Sequence, residues 1–264
     1  SNAVTEQYVQ AKTASRSLEQ IEGKKYSLRR IGFTKKPISK QDMLGNKFRI
    51  KISDSTNDVS QFTEHDKILN FFGYQRFGSK RPVTHLIGKA IIQENYQQAI
   101  DFLLSYSSKH DSGDNNHYRK LIFERKSDLE VIDQLPKSMD IEIGILQSLA
   151  KSNDQKTAIR EIPLQMRRFY IHAYQSYIFN KTLSMAFEYE EDLFTPQEND
   201  VCYDRTNKLG KFQNETGQRL TVPLVGHSYF KKTRFDYYIQ KILEQEDVLP
   251  SEFLIKDFQE ISVE

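Results

Sequence analysis

The 264-residue sequence contains no tryptophan, a single cysteine and no long uncharged apolar run. With Cys202 as its one thiol, it excludes an intrachain disulfide and any zinc or iron–sulfur site that needs several thiolates. No stretch approaches the roughly 18 apolar residues of a membrane-spanning helix. No basic-then-apolar leader opens the chain. We therefore expect a protein that is not in a membrane, in a reducing compartment: the cytoplasm, or the nucleus in a eukaryote.

Bulky aromatic side chains are abundant, with 17 phenylalanines and 14 tyrosines, which a disordered chain would lack. The length predicts one or two globular domains. Lysine and arginine number 38 against 36 acidic residues, and this net charge of +2 is too small to indicate a polyanionic partner by itself. The placement of the charges must decide that question.

Two strands are predicted in the first third of the chain. From Leu44 to Ser53, apolar residues alternate with Lys47, Arg49 and Lys51, which is typical of a half-buried strand. The basic face of that strand is more often a solvated face than an anion-binding surface. A weaker pattern over Tyr26–Arg30 suggests a neighbouring strand.

Helical spacing of apolar residues predicts one helix from Lys89 to Leu104 and a longer helix from about Leu164 to Phe187, which Pro163 opens. A last amphipathic helix around residues 235–243 is expected to end before Pro250. Polar residues at 105–118 suggest a loop and a domain boundary, and turn residues at 198–226 predict loops with short strands. Helices and strands are intermixed without strict alternation, which favours an α+β fold.

The segment Gly73–Lys80 has two glycines with four residues between them, as a phosphate-binding loop would. A nucleotide-binding loop needs lysine directly after the second glycine and then a hydroxyl residue, whereas Ser79 and Lys80 stand in the reverse order. The six histidines form no HxxxH or HxH pair, and no GxSxG elbow is present. The sequence therefore favours neither a nucleotide site, nor a metal site, nor a hydrolase.

The overlapping segment Asn70–Gly78 interleaves four aromatic residues with amides, an arginine and two glycines. One interpretation is structural, with the aromatic residues in the core and the glycines in turns. The other is that an aromatic face stacks an unpaired base, Asn70 or Gln75 bonds the edge of that base, and Arg76 holds a phosphate. The second interpretation suggests RNA chemistry.

With this segment in view, the chain resembles the tRNA pseudouridine synthase D (TruD) family. The matching landmarks occur in the family's order and cover nearly the whole chain. They are Ala3–Gln7, Leu44–Ile50, Asn70–Gly78, His172–Asn180 and, more loosely, Pro223–Gly226.

The resemblance implies an α+β catalytic domain with a mixed sheet, into which the family's own α/β domain is inserted. We expect part of the catalytic domain at residues 1–100, with its sheet incomplete, and the inserted TruD domain at residues 101–264. The implied reaction is the isomerisation of a tRNA uridine, at position 13, to pseudouridine. The implied partner is tRNA, with no metal or organic cofactor and no membrane.

By the family pattern, Phe72 is expected to stack on the uracil ring and Asn70 to organise the catalytic loop. Gln75 is expected to contact the base as well. The RNA backbone is expected to meet Arg76 and, less directly, four other basic residues: Lys47, Arg49, Arg167 and Arg168.

The resemblance also implies an essential aspartate immediately before Ser1, which the 264 residues do not contain. We therefore expect a fragment that lacks both family termini and forms no pseudouridine alone. Nothing in the settings of Asp42, Asp54 or Asp66 suggests a substitute. Two other hypotheses stay open: a non-catalytic RNA-binding protein, which the gene sequence upstream of Ser1 would distinguish, and a protein-interaction domain, whose binding would be insensitive to salt.

Overall fold

The computed structural model describes residues 4–12, 19–39, 42–49, 67–125, 130–229 and 233–264. The chain forms two compact units, Ser1–Glu64 and His65–Glu264. The boundary expected between residues 100 and 101 therefore lies in the second unit, inside the helix Tyr96–Ser105. Ile100 on that helix is fully buried, so a division there would open a continuous core.

The first unit contains one short antiparallel pair, β1 (Gln20–Glu22) and β2 (Ser27–Arg29), with Ile21 opposite Leu28. The weaker strand prediction near β2 is thus confirmed. The prediction of a strand from Leu44 is wrong for residues 44–49, which are exposed and lie in no strand. Phe48 is 79% exposed, so the apolar side of the alternating pattern packs against no other described part of the protein at this residue. Residues 50–53 of that prediction lie outside the described residues.

The second unit is mainly helical. Its α-helices in the described residues are α1 (Tyr74–Phe77), α2 (Thr84–Ile92), α3 (Tyr96–Ser105), α4 (Gly113–Glu124), α5 (Glu130–Gln134), α6 (Asp140–Ser152), α7 (Gln155–Arg160), α8 (Leu164–Glu188) and α9 (Asp236–Glu246). Two 3₁₀-helices, Pro250–Phe253 and Lys256–Ile261, follow. None of the described helices is both long enough and apolar enough to cross a membrane.

Helix α8 is the central element of this unit, and its prediction from the apolar spacing after Pro163 is confirmed. Ile171, Tyr174 and Ile178 on α8 are almost completely buried. Helix α2 lies very close to it: a Cβ built on Gly88 would come within 2.0 Å of the Tyr170 carbonyl oxygen. Glycine at this position therefore allows the two helix backbones to touch.

The single helix predicted from Lys89 to Leu104 is in fact two helices, α2 and α3. The chain turns at Glu94, whose φ is 54°, in the left-handed region. Asn95 then caps α3 by accepting a hydrogen bond from the backbone N–H of Gln98 at 3.2 Å. Both helices present apolar residues to one core, so periodicity alone could not separate them.

The loop expected at residues 105–118 is shorter than predicted, because Ser112 accepts a hydrogen bond from the backbone N–H of Asn115 at 3.2 Å and starts α4 at Gly113. The loops and short strands expected at residues 198–226 are confirmed. They contain an antiparallel sheet in the order β4–β3–β5, formed by β3 (Val201–Tyr203), β4 (Leu209–Lys211) and β5 (Arg219–Leu220).

The last predicted helix is confirmed as α9, whose last residue is Glu246 and whose C-cap is Asp247, with a φ of 51°. Pro250 instead begins the first 3₁₀-helix. Helices combined with small antiparallel sheets confirm the α+β prediction.

Candidate functional site

The segment Asn70–Gly78 forms a short loop and then the single turn of α1. Gly73 precedes α1, and its carbonyl accepts a hydrogen bond from the Arg76 N–H at 3.0 Å. Gly78 ends the turn with a φ of 95°, and a Cβ there would lie 2.2 Å from the Arg81 carbonyl oxygen. Glycine is thus needed at position 78 for both reasons.

The backbone of Phe72 is held by one side chain from α8. Its N–H donates to Asn180 Oδ1 at 2.9 Å, and its carbonyl accepts from Asn180 Nδ2 at 2.9 Å. Both backbone groups of Phe72 are therefore satisfied by a single amide, in the manner of a neighbouring strand. This fixes the direction in which the Phe72 side chain leaves the backbone.

The ring of Phe72 is half-buried between two neighbours. The ring of Phe179 meets it edge-on at 5.2 Å between centroids. The Arg76 guanidinium lies over the Phe72 ring at 5.3 Å and over the Phe169 ring at 5.5 Å. The guanidinium is thus oriented by two aromatic rings, and no described carboxylate pairs with it.

The two amide residues of this segment are open to solvent. Asn70 and Gln75 are exposed, and within the described residues neither side-chain amide makes a hydrogen bond. Tyr74 is 84% exposed. The expected base-contacting amides in this segment are therefore accessible, and they are neighbours in sequence of Phe72 and Arg76. We call Asn70, Phe72, Gln75 and Arg76 the aromatic slot.

The two neighbouring arginines on α8 have different environments. Arg167 is buried, with its Nε donating to the Ile162 carbonyl at 3.1 Å and its Nη1 paired with Glu260 Oε1 at 2.6 Å. This geometry does not support the expectation that Arg167 meets a phosphate, because its charge is already matched inside the protein. Arg168 is exposed, and its Nε and Nη2 both donate to the Glu260 carbonyl at 3.0 Å.

A layer of aromatic rings beneath α1 was not identified from the sequence. His85 on α2 stacks on Tyr177 of α8 at 4.9 Å, and Phe77 meets His85 edge-on at 5.4 Å. Burial lowers the pKa of His85, although the carboxylate of Glu246 opposes this shift. The layer joins α1 to α2 and α8, and so supports the aromatic slot.

The other expected residues are described by their own surroundings. Lys47 and Arg49 are exposed residues of the first unit, and their contact with the RNA backbone stays a prediction. Asp42 is bonded to Lys36 Nζ at 2.8 Å and to the Ser39 N–H at 2.9 Å, and these partners lower its pKa. Asp54 and Asp66 lie outside the described residues. Across the described ranges, no group of three histidine, cysteine or acidic side chains is placed to hold a metal ion.

The aromatic slot combines three chemical capabilities. A half-buried ring can stack on a nucleobase, two free amides can bond its edge, and an arginine without a carboxylate partner can hold a phosphate. Single-stranded or extruded nucleotides offer all three features at once, whereas a paired base in a helix offers neither its face nor its pairing edge.

Comparison with known proteins agrees with this chemistry. The model of the family "tRNA pseudouridine synthase D (TruD)" matches residues 1–264. A relative from Archaeoglobus fulgidus is 34% identical over 195 residues, which is 70% of this chain and 47% of that protein. One from Methanopyrus kandleri is 30% identical over 240 residues, or 88% of this chain and 57% of that protein. Both are named probable tRNA pseudouridine synthase D.

A crystal structure of a TruD protein from Methanosarcina mazei is also similar, with a TM-score of 0.66 and 29% sequence identity. The match covers 74% of this chain and 49% of that one. The chain thus spans about half the length of these relatives. Because the family model matches the chain from its first residue to its last, the chain belongs to the tRNA pseudouridine synthase D family.

Proposed function

We propose that this chain takes part in the isomerisation of a tRNA uridine to pseudouridine, and that the aromatic slot receives the extruded uracil. The observation that carries the proposal is the Phe72 ring, which Asn180 fixes through its backbone and over which the Arg76 guanidinium lies without a described carboxylate partner. Family membership supplies the reaction class, and the slot supplies the physical means of holding the base.

The reaction requires a base outside its stack, because the bond between ribose and uracil is shielded inside a helix. Extrusion removes the stacking energy of the base in the helix. Stacking of the base on Phe72 restores about 1–3 kcal/mol of it. The amides of Asn70 and Gln75 are the donors and acceptors available for the uracil edge. Arg76 holds the backbone at the extruded nucleotide, since a guanidinium and a phosphate form paired hydrogen bonds.

The phosphate role of Arg76 is tested by the salt dependence of tRNA binding. Arg76→Gln is expected to weaken binding of an unmodified tRNA and to reduce the slope of log affinity against log salt by about 1, because one phosphate contact is lost. Arg219→Gln is the matched control, since Arg219 also lies over an aromatic ring, that of Tyr203 at 6.0 Å. Filter binding at several salt concentrations measures both slopes. Equal slopes for the two variants would contradict the proposal.

We further propose that the 264-residue polypeptide alone binds tRNA without forming pseudouridine. The family resemblance puts the nucleophilic aspartate immediately before Ser1, and Asp42 is engaged by Lys36 and Ser39. Incubation with an unmodified cognate tRNA, followed by chemical mapping of pseudouridine, tests this directly. Any turnover refutes it.

A further inference from the structure

Two basic residues of α8, Arg168 and His172, flank Phe169, the ring over which Arg76 of the aromatic slot lies. Arg168 and His172 are four residues apart on α8 and therefore lie on the same face, one turn from each other. Phe169 lies between them in sequence, and its ring carries the guanidinium of Arg76 at 5.5 Å. Arg168 and His172 thus share one face of α8, and Arg76 of α1 contacts the same helix through the Phe169 ring.

None of the three has a carboxylate partner among the described residues. Glu260 gives its carboxylate to the buried Arg167 at 2.6 Å and its backbone carbonyl, not its carboxylate, to Arg168. That carbonyl orients the guanidinium of Arg168 and leaves its charge uncompensated. Arg76 is held by aromatic rings alone, so its N–H groups remain free for a ligand.

Such a cluster is unfavourable without an anion, because like charges in proximity repel one another. The pKa of His172 reflects this: partial burial lowers it, and the positive charges of Arg76 and Arg168 lower it further. Within the part of the chain that the structure describes, no acidic group opposes these effects at His172. A bound anion would act in the opposite direction and favour the protonated imidazole.

We propose that Arg76, Arg168 and His172 form a phosphate subsite, and that it binds a backbone phosphate of the tRNA next to the extruded base. This inference rests on the proposed function and names the ligand group at that surface. Two guanidiniums in fixed orientations match the geometry of phosphate oxygens, and the imidazole adds a third donor when it is protonated. The nearby Phe72 ring favours an RNA phosphate over a free one, since base and phosphate would be held together.

The subsite makes tRNA binding depend on pH in a stated direction. A phosphate beside His172 raises the pKa of the imidazole in the complex above its value in the free protein. Binding then takes up a proton, so affinity rises as the pH falls through this interval. A single linked proton allows at most about a tenfold change per pH unit.

The test uses the full 264-residue chain and an unmodified tRNA. We expect affinity to increase several-fold between pH 8 and pH 5.5 and this increase to disappear in His172→Gln. Histidine NMR signals should show an upward shift of the His172 pKa on binding. His117→Gln is the control, because His117 is exposed on α4. Arg168→Gln, a second variant on the same face, should lower the salt slope by about 1.

The outcomes separate the subsite from the proposed function. If tRNA binds with an Arg76-dependent salt slope while the His172 pKa is unchanged and His172→Gln keeps the full pH dependence, the subsite is wrong and the aromatic slot stands. If inorganic phosphate alone shifts the His172 pKa as far as tRNA does, the site is a free-phosphate site, and the RNA assignment is overturned. If tRNA does not bind at any salt concentration, both proposals fail.

Discussion

Asn180→Ala is expected to weaken tRNA binding about tenfold or more while leaving the fold intact. The substitution removes both hydrogen bonds to the backbone of Phe72, each 2.9 Å long, and leaves two partly buried backbone groups unpaired. Each lost bond costs about 0.5–1.5 kcal/mol, and the ring is no longer held in one direction. Equilibrium binding to an unmodified tRNA measures the effect. Asn180→Asp should give an intermediate loss, since the acid keeps the acceptor for the Phe72 N–H and loses the donor.

A matched control exists on α4. The side chain of Asn116 also clamps a single backbone residue, accepting from the Ser108 N–H at 3.1 Å and donating to the Ser108 carbonyl at 2.8 Å. Asn116→Ala should cost similar stability and leave tRNA affinity unchanged. Equal losses of affinity in both variants would show that Asn180 acts only through general stability, against our assignment of a positioning role.

Glu142→Gln is expected to lower the free energy of unfolding by about 3–5 kcal/mol, because a buried charge pair loses one partner. Glu142 Oε1 lies 3.2 Å from Arg119 Nη2 and 4.0 Å from Arg81 Nη1, and all three side chains are at most 15% exposed. Burial and the charge of Arg119 lower the pKa of Arg81 to about 10, so the two cations are already poorly solvated. Without the carboxylate they repel each other inside the core.

Urea unfolding followed by far-ultraviolet circular dichroism measures this loss, since the chain has no tryptophan to report fluorescence. Glu124→Gln is the control: its carboxylate pairs with Lys120 at 3.7 Å on an exposed helix face, and its loss should cost no more than about 0.5 kcal/mol. Adding Arg119→Met to Glu142→Gln should recover part of the stability. A loss below about 1 kcal/mol for Glu142→Gln would disprove the ion-pair account.

The sequence predicted those features that depend on local spacing. Helix α8 follows from apolar residues at three- and four-residue intervals after Pro163, and the structure confirms it. The break at Glu94 could not be predicted in this way. The apolar residues of α2 and α3 follow one periodic pattern in the sequence, and only the turn at Glu94 and the cap at Asn95 separate the two helices. A helix cap depends on a single side chain, whereas the apolar periodicity is a property of many residues and does not register it.

The sequence indicated the candidate residues of the site, but it did not indicate the residue that holds them in place. The candidate residues Asn70, Phe72, Gln75 and Arg76 are neighbours in sequence and could be selected from it, and their roles stay a prediction. Asn180 was not identified, since it is 108 residues from Phe72 and only the folded chain brings them together. Arg167 and Arg168 could not be told apart either, because about 100° of helical rotation sends one side chain into the core and the other outward.

The position of Arg76 over Phe72 limits what the ring can accommodate. One face of the ring already carries the guanidinium, and the Phe179 ring meets it edge-on. As long as Arg76 keeps its place, at most a single nucleobase can lie against Phe72, and consecutive bases cannot sandwich the ring between them. On the proposed function, the aromatic slot would accordingly accept an isolated, everted nucleotide of a folded RNA, and the consecutive bases of an unpaired strand would not fit it.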